Sequence, residues 1–494
     1  MIPTRSGWLI WLCCVAVIVQ AQADSRLQFI TVDESNQPVP CRIHLRDASD
    51  KPVKAPDLPF WHDHFVCTGK VSLVLAPGSY VYEIERGPEY RAISNSVTLG
   101  ADASLSVTNQ LRRIVNMAAE GWWSGEFHVH RKPEEMELLM AAEDLHFAHV
   151  ITWWNESNLW KQKELPAKAV KIFDRNRFFH NWGGEDERGG GALLFLNLSE
   201  PMNITGSKRE FPSAVQFLKQ ARPKLDSWID IEKPFWWDAP LWLAQRVDSI
   251  GIANNHHNRR GMLDNEAWGK PRARARFPDK HGNGLWTQEI YFHALNCGLR
   301  IPPSAGSASG VLQNPVGYNR IYAHLDGEPS WDAWHEAIRL GRVFVSNGPL
   351  LRCRANGKLP GNVLSSTGPF DVAIAMQLDS RDPIRSIEVI HNGRVLPVKL
   401  PGTIRIERSG WFLVRAIADL DETFRFALTG PWYLEIGNEP RPVQKQSAQF
   451  FLDWTRERFS RLDAMDFTGR AEVLQAVRDA EAYWKRKLES ANAD

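Results

Sequence analysis

The sequence predicts a multidomain fold: an N-terminal β-sandwich, a central α/β unit, a second β-sandwich and a helical tail. Three observations carry that reading. Residues 24–115 are short apolar or alternating runs separated by Pro, Gly, Asn and Asp, which is how strands and turns read. Residues 116–348 alternate strand-like runs with stretches of helical period, the pattern of an α/β barrel or a doubly wound sheet. Residues 349–446 return to β alternation, and 447–494 hold two long helical stretches. A chain of 494 residues has room for about three domains. Its net charge of +1 gives no electrostatic reason to expect nucleic acid or an acidic partner.

Residues 1–23 read as a signal peptide. Arg5 supplies a positive start, and the apolar run 8–19 is short of the roughly 20 residues that span a bilayer. Ala21-Gln22-Ala23 is a small-x-small cleavage site, so the mature chain is expected from Asp24, secreted or periplasmic. No later stretch is long enough to cross a membrane. Export permits disulfides. Cys41, Cys67, Cys297 and Cys353 remain after cleavage, at spacings that match no zinc motif. Either Cys41 bridges Cys67 within the first domain, or all of these thiols are reduced and buried.

In 24–115 the strands are LQFITVD, PCRIHLRD, GKVSLVLAPGSYVYEIERG and SNSVTLG. The stretch APGSYVYEIERGPEY resembles the proline-glycine hairpin of carboxypeptidase-regulatory-like domains. Trp61-His62-Asp63-His64 has a His-Asp-His order that invites a metal, but a solvated loop between strands is the expectation.

The segment 121–160 organises the centre. The strand GEFHVH ends in His128 and His130, and residues two apart in a strand point to one face, so two imidazoles stand side by side. A helix follows: Pro133 suits its first turn, Glu134 and Glu135 suit its positive end, and Met136, Leu139, Met140 and Leu145 recur at helical spacing. Glu143 and Asp144 read as its end. HVITWW is then a buried strand, which completes a β-α-β unit. Such units place ligands at the carboxyl ends of strands. Further strand and helix pairs follow in ALLFLNL, SAVQFLKQARPK, APLWLAQRVDSIGIANNHH, NGLWTQEIYFHALNCGLRI and SWDAWHEAIRLGRVFVSNG.

Two more stretches carry candidate chemistry. The loop GGEDERGGG offers Glu185 after two glycines, with Asp186 and Glu187 as rivals. The strand GIA runs into Asn254, Asn255, His256 and His257. Either imidazole is a candidate ligand, with strand-end alignment favouring His256. Asn255, Arg259 and Arg260 are candidates for holding an oxyanion.

GEFHVH resembles the Gly-Asp-x-His-x-His opening motif of the PHP (polymerase and histidinol phosphatase) superfamily. Over residues 115–350 the architecture is similar to its carbaryl-hydrolase-like metallohydrolases. The resemblance implies a distorted seven-stranded (β/α) barrel with metal ions at the strand carboxyl ends. It also implies a metal carboxylate at Glu185, from a Gly-x-Glu pattern, and a metal imidazole at His256 or His257, where the family ends a strand in Ala-His-Pro. The departures are as informative. Where the family has Thr-Asp-His, this chain has Thr152-Trp153-Trp154-Asn155. Its closing Asp-x-His is replaced by Ala308 and Gly310, and a further Gly-His by Gly191-Ala192. Indole, methyl and hydrogen do not ligate cations. What remains is one divalent ion, zinc with manganese as the alternative, on His128, His130, Glu185 and one of His256 or His257.

The function expected from this resemblance is an exported metal-dependent hydrolase of phosphoester, ester or carbamate bonds that uses a metal-bound water. Arg259 or Arg260 would steady negative charge, and backbone N–H groups in 304–310 would face an anion. The alternative is a catalytically degraded scaffold that binds a sugar or aromatic ligand. Trp153, Trp154, Trp160, Trp236 and Trp237, from a total of 21 Trp, would line that cleft. Both readings make the partner a small molecule or glycan.

The C-terminal strands are PFDVAIAMQL, SIEVIHNGRVLPVKL, TIRIERSGWFLVRAIAD and WYLEIGN, with a hairpin turn at Asn392-Gly393. The tail helices carry charge on one face and are expected to pack on a neighbouring domain.

Overall fold

The computed structural model describes residues 24–222 and 226–493. The signal-peptide expectation, 1–23, lies outside the described residues. The chain is rich in sheet, as expected, and no helix among the described residues is long and apolar enough to cross a membrane.

The first domain is a β-sandwich. One sheet holds Lys70–Leu75, Ser25–Val32 and Ser104–Gln110. The other holds Phe60–Trp61, His64–Cys67, Cys41–Arg46, Gly78–Glu85 and Ile93–Leu99. Alternate residues of each strand, such as Leu27 and Phe29 or Tyr82 and Ile84, meet in one core between the sheets. Cys41 and Cys67 face each other across neighbouring strands, with their Sγ atoms 3.7 Å apart and unjoined. The 61–64 stretch is not a solvated loop. It is a tight hairpin turned at His62, and it buries Asp63 and His64.

In the central region the alternation of strand and helix is only partly realised. Trp122–Val129, Phe147–Trp154 and Arg177–Arg188 run parallel. Gly191–Leu196 then returns antiparallel and pairs with Trp228–Ile231. Trp228–Ile231, Ser249–Ala253 and Pro303–Ala305 run parallel again, and the large sheet closes on itself. The interruption has a local cause. Gly189 and Gly190 alone connect the two strands, which leaves no room for a crossover helix, and side chains there would collide with Glu210 and Asp238.

The same strand corrects the reading of GGEDERGGG as a loop. Residues 183–188 are strand, and the first two glycines serve packing rather than turning. A side chain at Gly184 would run into the ring of Trp153 on the neighbouring strand. The helix Met136–Glu143 stops at Asp144, whose left-handed φ of 50° ends it as expected. Asp144 also pairs with Arg86, Arg113 and Arg177, and Glu143 with Arg42, so this helix end fastens the first sandwich to the centre.

The C-terminal strands form a second sandwich that shares its hydrogen bonding with the centre. Phe426–Thr429 pairs antiparallel with Val343–Ser346, so the sheet continues across the boundary placed at 348. Tyr322 and Phe344 of the centre share a core with Leu350, Phe412 and Trp432. The tail helices Lys445–Asp463 and Arg470–Glu489 dock Phe451, Trp454 and Trp484 into the core that includes Trp242.

Arg458 anchors that docking. It is buried, and it donates to Asp238 (2.6 Å) and Glu210 (2.7 Å) on the central region. Removing one partner of a buried ion pair costs about 3–5 kcal/mol, because the remaining charges stay desolvated. Arg458→Met is therefore expected to destabilise the chain by about 3 kcal/mol or more in urea titrations followed by tryptophan fluorescence. A loss under about 1 kcal/mol would mean that the tail is held by its aromatic face alone.

Candidate metal centre

His128 and His130 lie at the end of the strand Trp122–Val129. Val129 points into a fully buried core, which leaves both imidazoles on the opposite face. Their Nε2 atoms are 2.9 Å apart. Glu185 comes from the strand two places along, opposite Trp154, and its Oε2 lies 3.2 Å from Nε2 of His128 and 3.1 Å from Nε2 of His130. Three donor atoms about 3 Å apart are what metal–ligand bonds near 2 Å produce around one ion. The set is two nitrogens and one carboxylate oxygen, which suits zinc.

The segment 304–310 braces the pair from behind. His130 N donates to Ser309 O and Ala308 N to His128 O, both at 2.8 Å. Gly306 leaves room for the His128 Cβ, and Gly310, at φ +103°, for the carbonyl of His130. The expectation that this loop offers N–H groups to a bound anion is corrected: those of Gly306, Ser307 and Ala308 are all taken within the protein. Glu126 is fully buried and accepts from Ser307 N (2.9 Å) and Gly317 N (2.6 Å). Burial pushes its carboxyl up to about 7.

Charges at the triad are strongly coupled. Burial opposes a charged His128, but Glu185 and Glu232 outweigh it and raise the imidazole to about 10. Burial would raise Glu185, yet the two imidazoles hold it well below the ordinary carboxylate range. His130 is lowered, chiefly by burial.

No family model matches the chain. No curated protein matches it either. Among solved structures it is similar to the minor pilin GBS52 of Streptococcus agalactiae, at 18% identity over 19% of this chain and 47% of that one, with a TM-score of 0.17. It is also similar to the TIE protein of Bacillus anthracis, at 14% identity over 22% of this chain and 19% of that one, with a TM-score of 0.16. The chain thus spans under half the length of either, and scores this low carry no argument about fold or function.

The remaining sequence candidates scatter. Only His128, His130 and Glu185 converge; neither His256 nor His257 joins the donor atoms that lie within 4.8 Å of one another. The reason is a turn at Asn254, where His257 N donates to the backbone oxygen (3.0 Å) and His256 N to Oδ1 (3.1 Å). The two rings therefore leave the strand end in different directions. His256 packs on Phe235 (5.3 Å between centroids), and His257 packs on Phe424 and Phe426 (6.0 and 5.3 Å). Arg259 and Arg260 are committed elsewhere: Arg259 pairs with Glu83 and Glu85, and Arg260 with Glu83. Asn255 is buried, and its Oδ1 has no hydrogen-bond partner. The rivals of Glu185 also separate. Asp186 is bound by Arg188, whereas Glu187 is raised to about 7 by burial and then by Glu185.

The tryptophan cleft is smaller than expected. Trp154 faces His130, with centroids 5.0 Å apart, and Trp236 donates to Glu232 (3.0 Å). Trp153 is core and donates to Trp182 O, Trp160 donates to Thr152 Oγ1, and Trp237 lies beneath Arg461 of the tail. Trp268 was not anticipated. It packs at a tilt against Trp236, with centroids 4.8 Å apart, and is 42% exposed. Glu232 and Lys233 were also missed. They follow the four-residue strand Trp228–Ile231, which is too short for its period to show in the sequence.

A second group, His44, Asp63 and His64, brings three donors together in the first sandwich. Asp63 Oδ1 is 3.1 Å from Nδ1 of both imidazoles. Arg46 holds the other oxygen of Asp63 at 3.1 Å, and Arg42 Nε donates to His44 Nε2 at 3.0 Å. That bond leaves the proton of a neutral His44 on Nδ1, facing Asp63. Arg42 and Arg46 already bring positive charge against this group, which disfavours a cation.

Proposed function

We propose that this chain is a metal-dependent hydrolase of ester, phosphoester or carbamate bonds, built on a PHP-type barrel, with one zinc or manganese on His128, His130 and Glu185. The observation that carries the reading is the convergence of three donors from two separate strands at the sheet's carboxyl ends. When bound, such an ion supplies Lewis acidity and draws the pKa of water toward about 7. The chain's own residues do the rest. Trp154 packs its indole against the His130 ring. Glu187 titrates near neutrality, which suits proton exchange, and Asn155 fixes its backbone through Asn155 Nδ2 to Glu187 O (2.8 Å) and Glu187 N to Asn155 Oδ1 (2.9 Å). With the His256 donor absent from the triad, a coordination position stays open for substrate or water.

The test is turnover of p-nitrophenyl acetate and p-nitrophenyl phosphate by the full chain. Chelation is expected to abolish hydrolysis, and one equivalent of zinc to restore it. Zinc bound at one per chain with neither ester cleaved would favour the binding reading. The Trp236–Trp268 pair supports that second reading, because an exposed indole packed against a ring tied to Glu232 suits a sugar ring or an aromatic ligand.

A further inference from the structure

Behind His128, on the side away from His130 and Glu185, stands a carboxylate with no role so far. Glu232 follows the strand Trp228–Ile231, and its Oε1 is 3.6 Å from His128 Nδ1. Both atoms are buried, and neither has a hydrogen-bond partner. Two unpartnered polar atoms facing each other inside a protein are costly, and a small side-chain movement joins them. The other oxygen of Glu232 is already engaged, by the Lys233 ammonium and by Trp236 Nε1 at 3.0 Å. Lys233 itself lies over the Trp236 ring, 4.6 Å from its centroid. The backbone is pinned as well: Gly251 on the next strand passes so close to the carbonyl of Glu232 that a side chain there would collide with it.

We propose that Glu232 is a positioning residue for the metal: it accepts the Nδ1–H of His128 and thereby turns the Nε2 lone pair toward the point shared with His130 and Glu185. The inference rests on the metal reading above. A neutral imidazole carries one N–H, and Nε2 can ligate only if that proton sits on Nδ1. An acceptor opposite Nδ1 selects this tautomer, fixes the ring plane and raises the basicity of the ligating nitrogen. Lys233 and Trp236 keep the carboxylate in this place and stop it from swinging round to the ion. Glu232 is accordingly outside the group of donors that lie within 4.8 Å of one another. The Lys233 charge also cancels that of Glu232. An ion of charge two held by Glu185 then keeps a net positive charge, which favours an anionic ligand at the open position.

The experiment measures zinc affinity of the full chain by competition with a chromophoric chelator, for the unaltered protein, Glu232→Gln and Glu232→Asp. Cobalt(II) absorption of each reports the coordination number. The unaltered chain is expected to bind one zinc. Glu232→Gln is expected to bind about 10–100-fold more weakly, with an unchanged cobalt coordination number and a metal-free melting temperature within a few degrees of the original. Should Glu232→Gln not fold, Glu232→Asp replaces it. That variant keeps the charge but is one methylene short of Nδ1, and a loss in the same direction is expected. If the unaltered chain binds no metal, the metal reading falls and takes this inference with it. If the unaltered chain binds zinc and the variants match it within about twofold, Glu232 only packs, and the inference alone is overturned. A lower cobalt coordination number in Glu232→Gln would make Glu232 a ligand and would likewise overturn it.

Discussion

Alanine at both His128 and His130 is expected to reduce bound zinc from about one per chain to none. Zinc sites of this kind are worth about 10 kcal/mol or more in binding free energy, shared among three or four ligands. The double substitution removes two of the three converging donors and leaves Glu185 alone. A single buried carboxylate without partners takes up a proton rather than staying an anion, so it offers little to a cation. The fold is expected to survive, because Phe127 and Val129 still bury their side chains in two separate cores. Elemental analysis of chain purified without added metal, before and after dialysis against chelator, measures the effect. Full metal retention in the double variant would move the ion elsewhere, and His44, Asp63 and His64 would be the next group to substitute.

How much of this site was legible in the sequence follows from the range of each interaction. The imidazole pair was legible because strand period is local: two residues apart means one face. Glu185 was legible for a partly mistaken reason. The glycines before it looked like a turn, but they are strand residues that make way for the Trp153 ring. Glu126 is adjacent to the pair in sequence, yet its work as a clamp on Ser307 and Gly317 depends on chain more than a hundred residues away. The directions of His256 and His257 hinge on one side-chain cap at Asn254, which no periodicity reveals. Glu232 and Lys233 belong to no motif and follow a strand too short to register. At the level of domains, the composition shift near 348 marks a change from mixed to β structure. It does not mark a break in hydrogen bonding, because strand pairing between Val343–Ser346 and Phe426–Thr429 is non-local.

Acid is expected to unfold the chain near pH 5, above the range in which ordinary carboxylates titrate. The cause is buried neutral imidazole. Burial holds His64, His146, His256 and His335 down to about 3, and His180, His257 and His293 to about 4. In an unfolded chain each would titrate near 6.5. Depressed folded values mean that stability is complete above about 6.5 and is lost as pH falls toward 4, because only the unfolded chain takes up these protons. Buried carboxyls act the other way. Burial raises Glu89, Glu126, Glu187 and Asp230 to about 7, so the folded chain already holds those protons between about 4.5 and 7. His149, which burial also holds well below its ordinary value, makes eight strongly depressed imidazoles against the four carboxyls, and the surplus of four protons sets a slope of about 5 kcal/mol per pH unit between about 6 and 4.5. Against a total stability of about 5–15 kcal/mol, one to two units of acidification are enough. Tryptophan fluorescence during acid titration reads the midpoint. A paired substitution tests the cause: His149 and His335 share a buried contact of 3.0 Å between Nε2 atoms, and the Nδ1 of each lacks a partner. His149→Leu with His335→Leu removes both rings without orphaning either, and it is expected to flatten the slope by about 3 kcal/mol per pH unit and move the midpoint to lower pH. An unchanged midpoint would place the acid sensitivity in the carboxylate ion pairs that join the domains, such as those of Asp144 and Glu85, whose protonation at lower pH releases Arg86, Arg113 and Arg259.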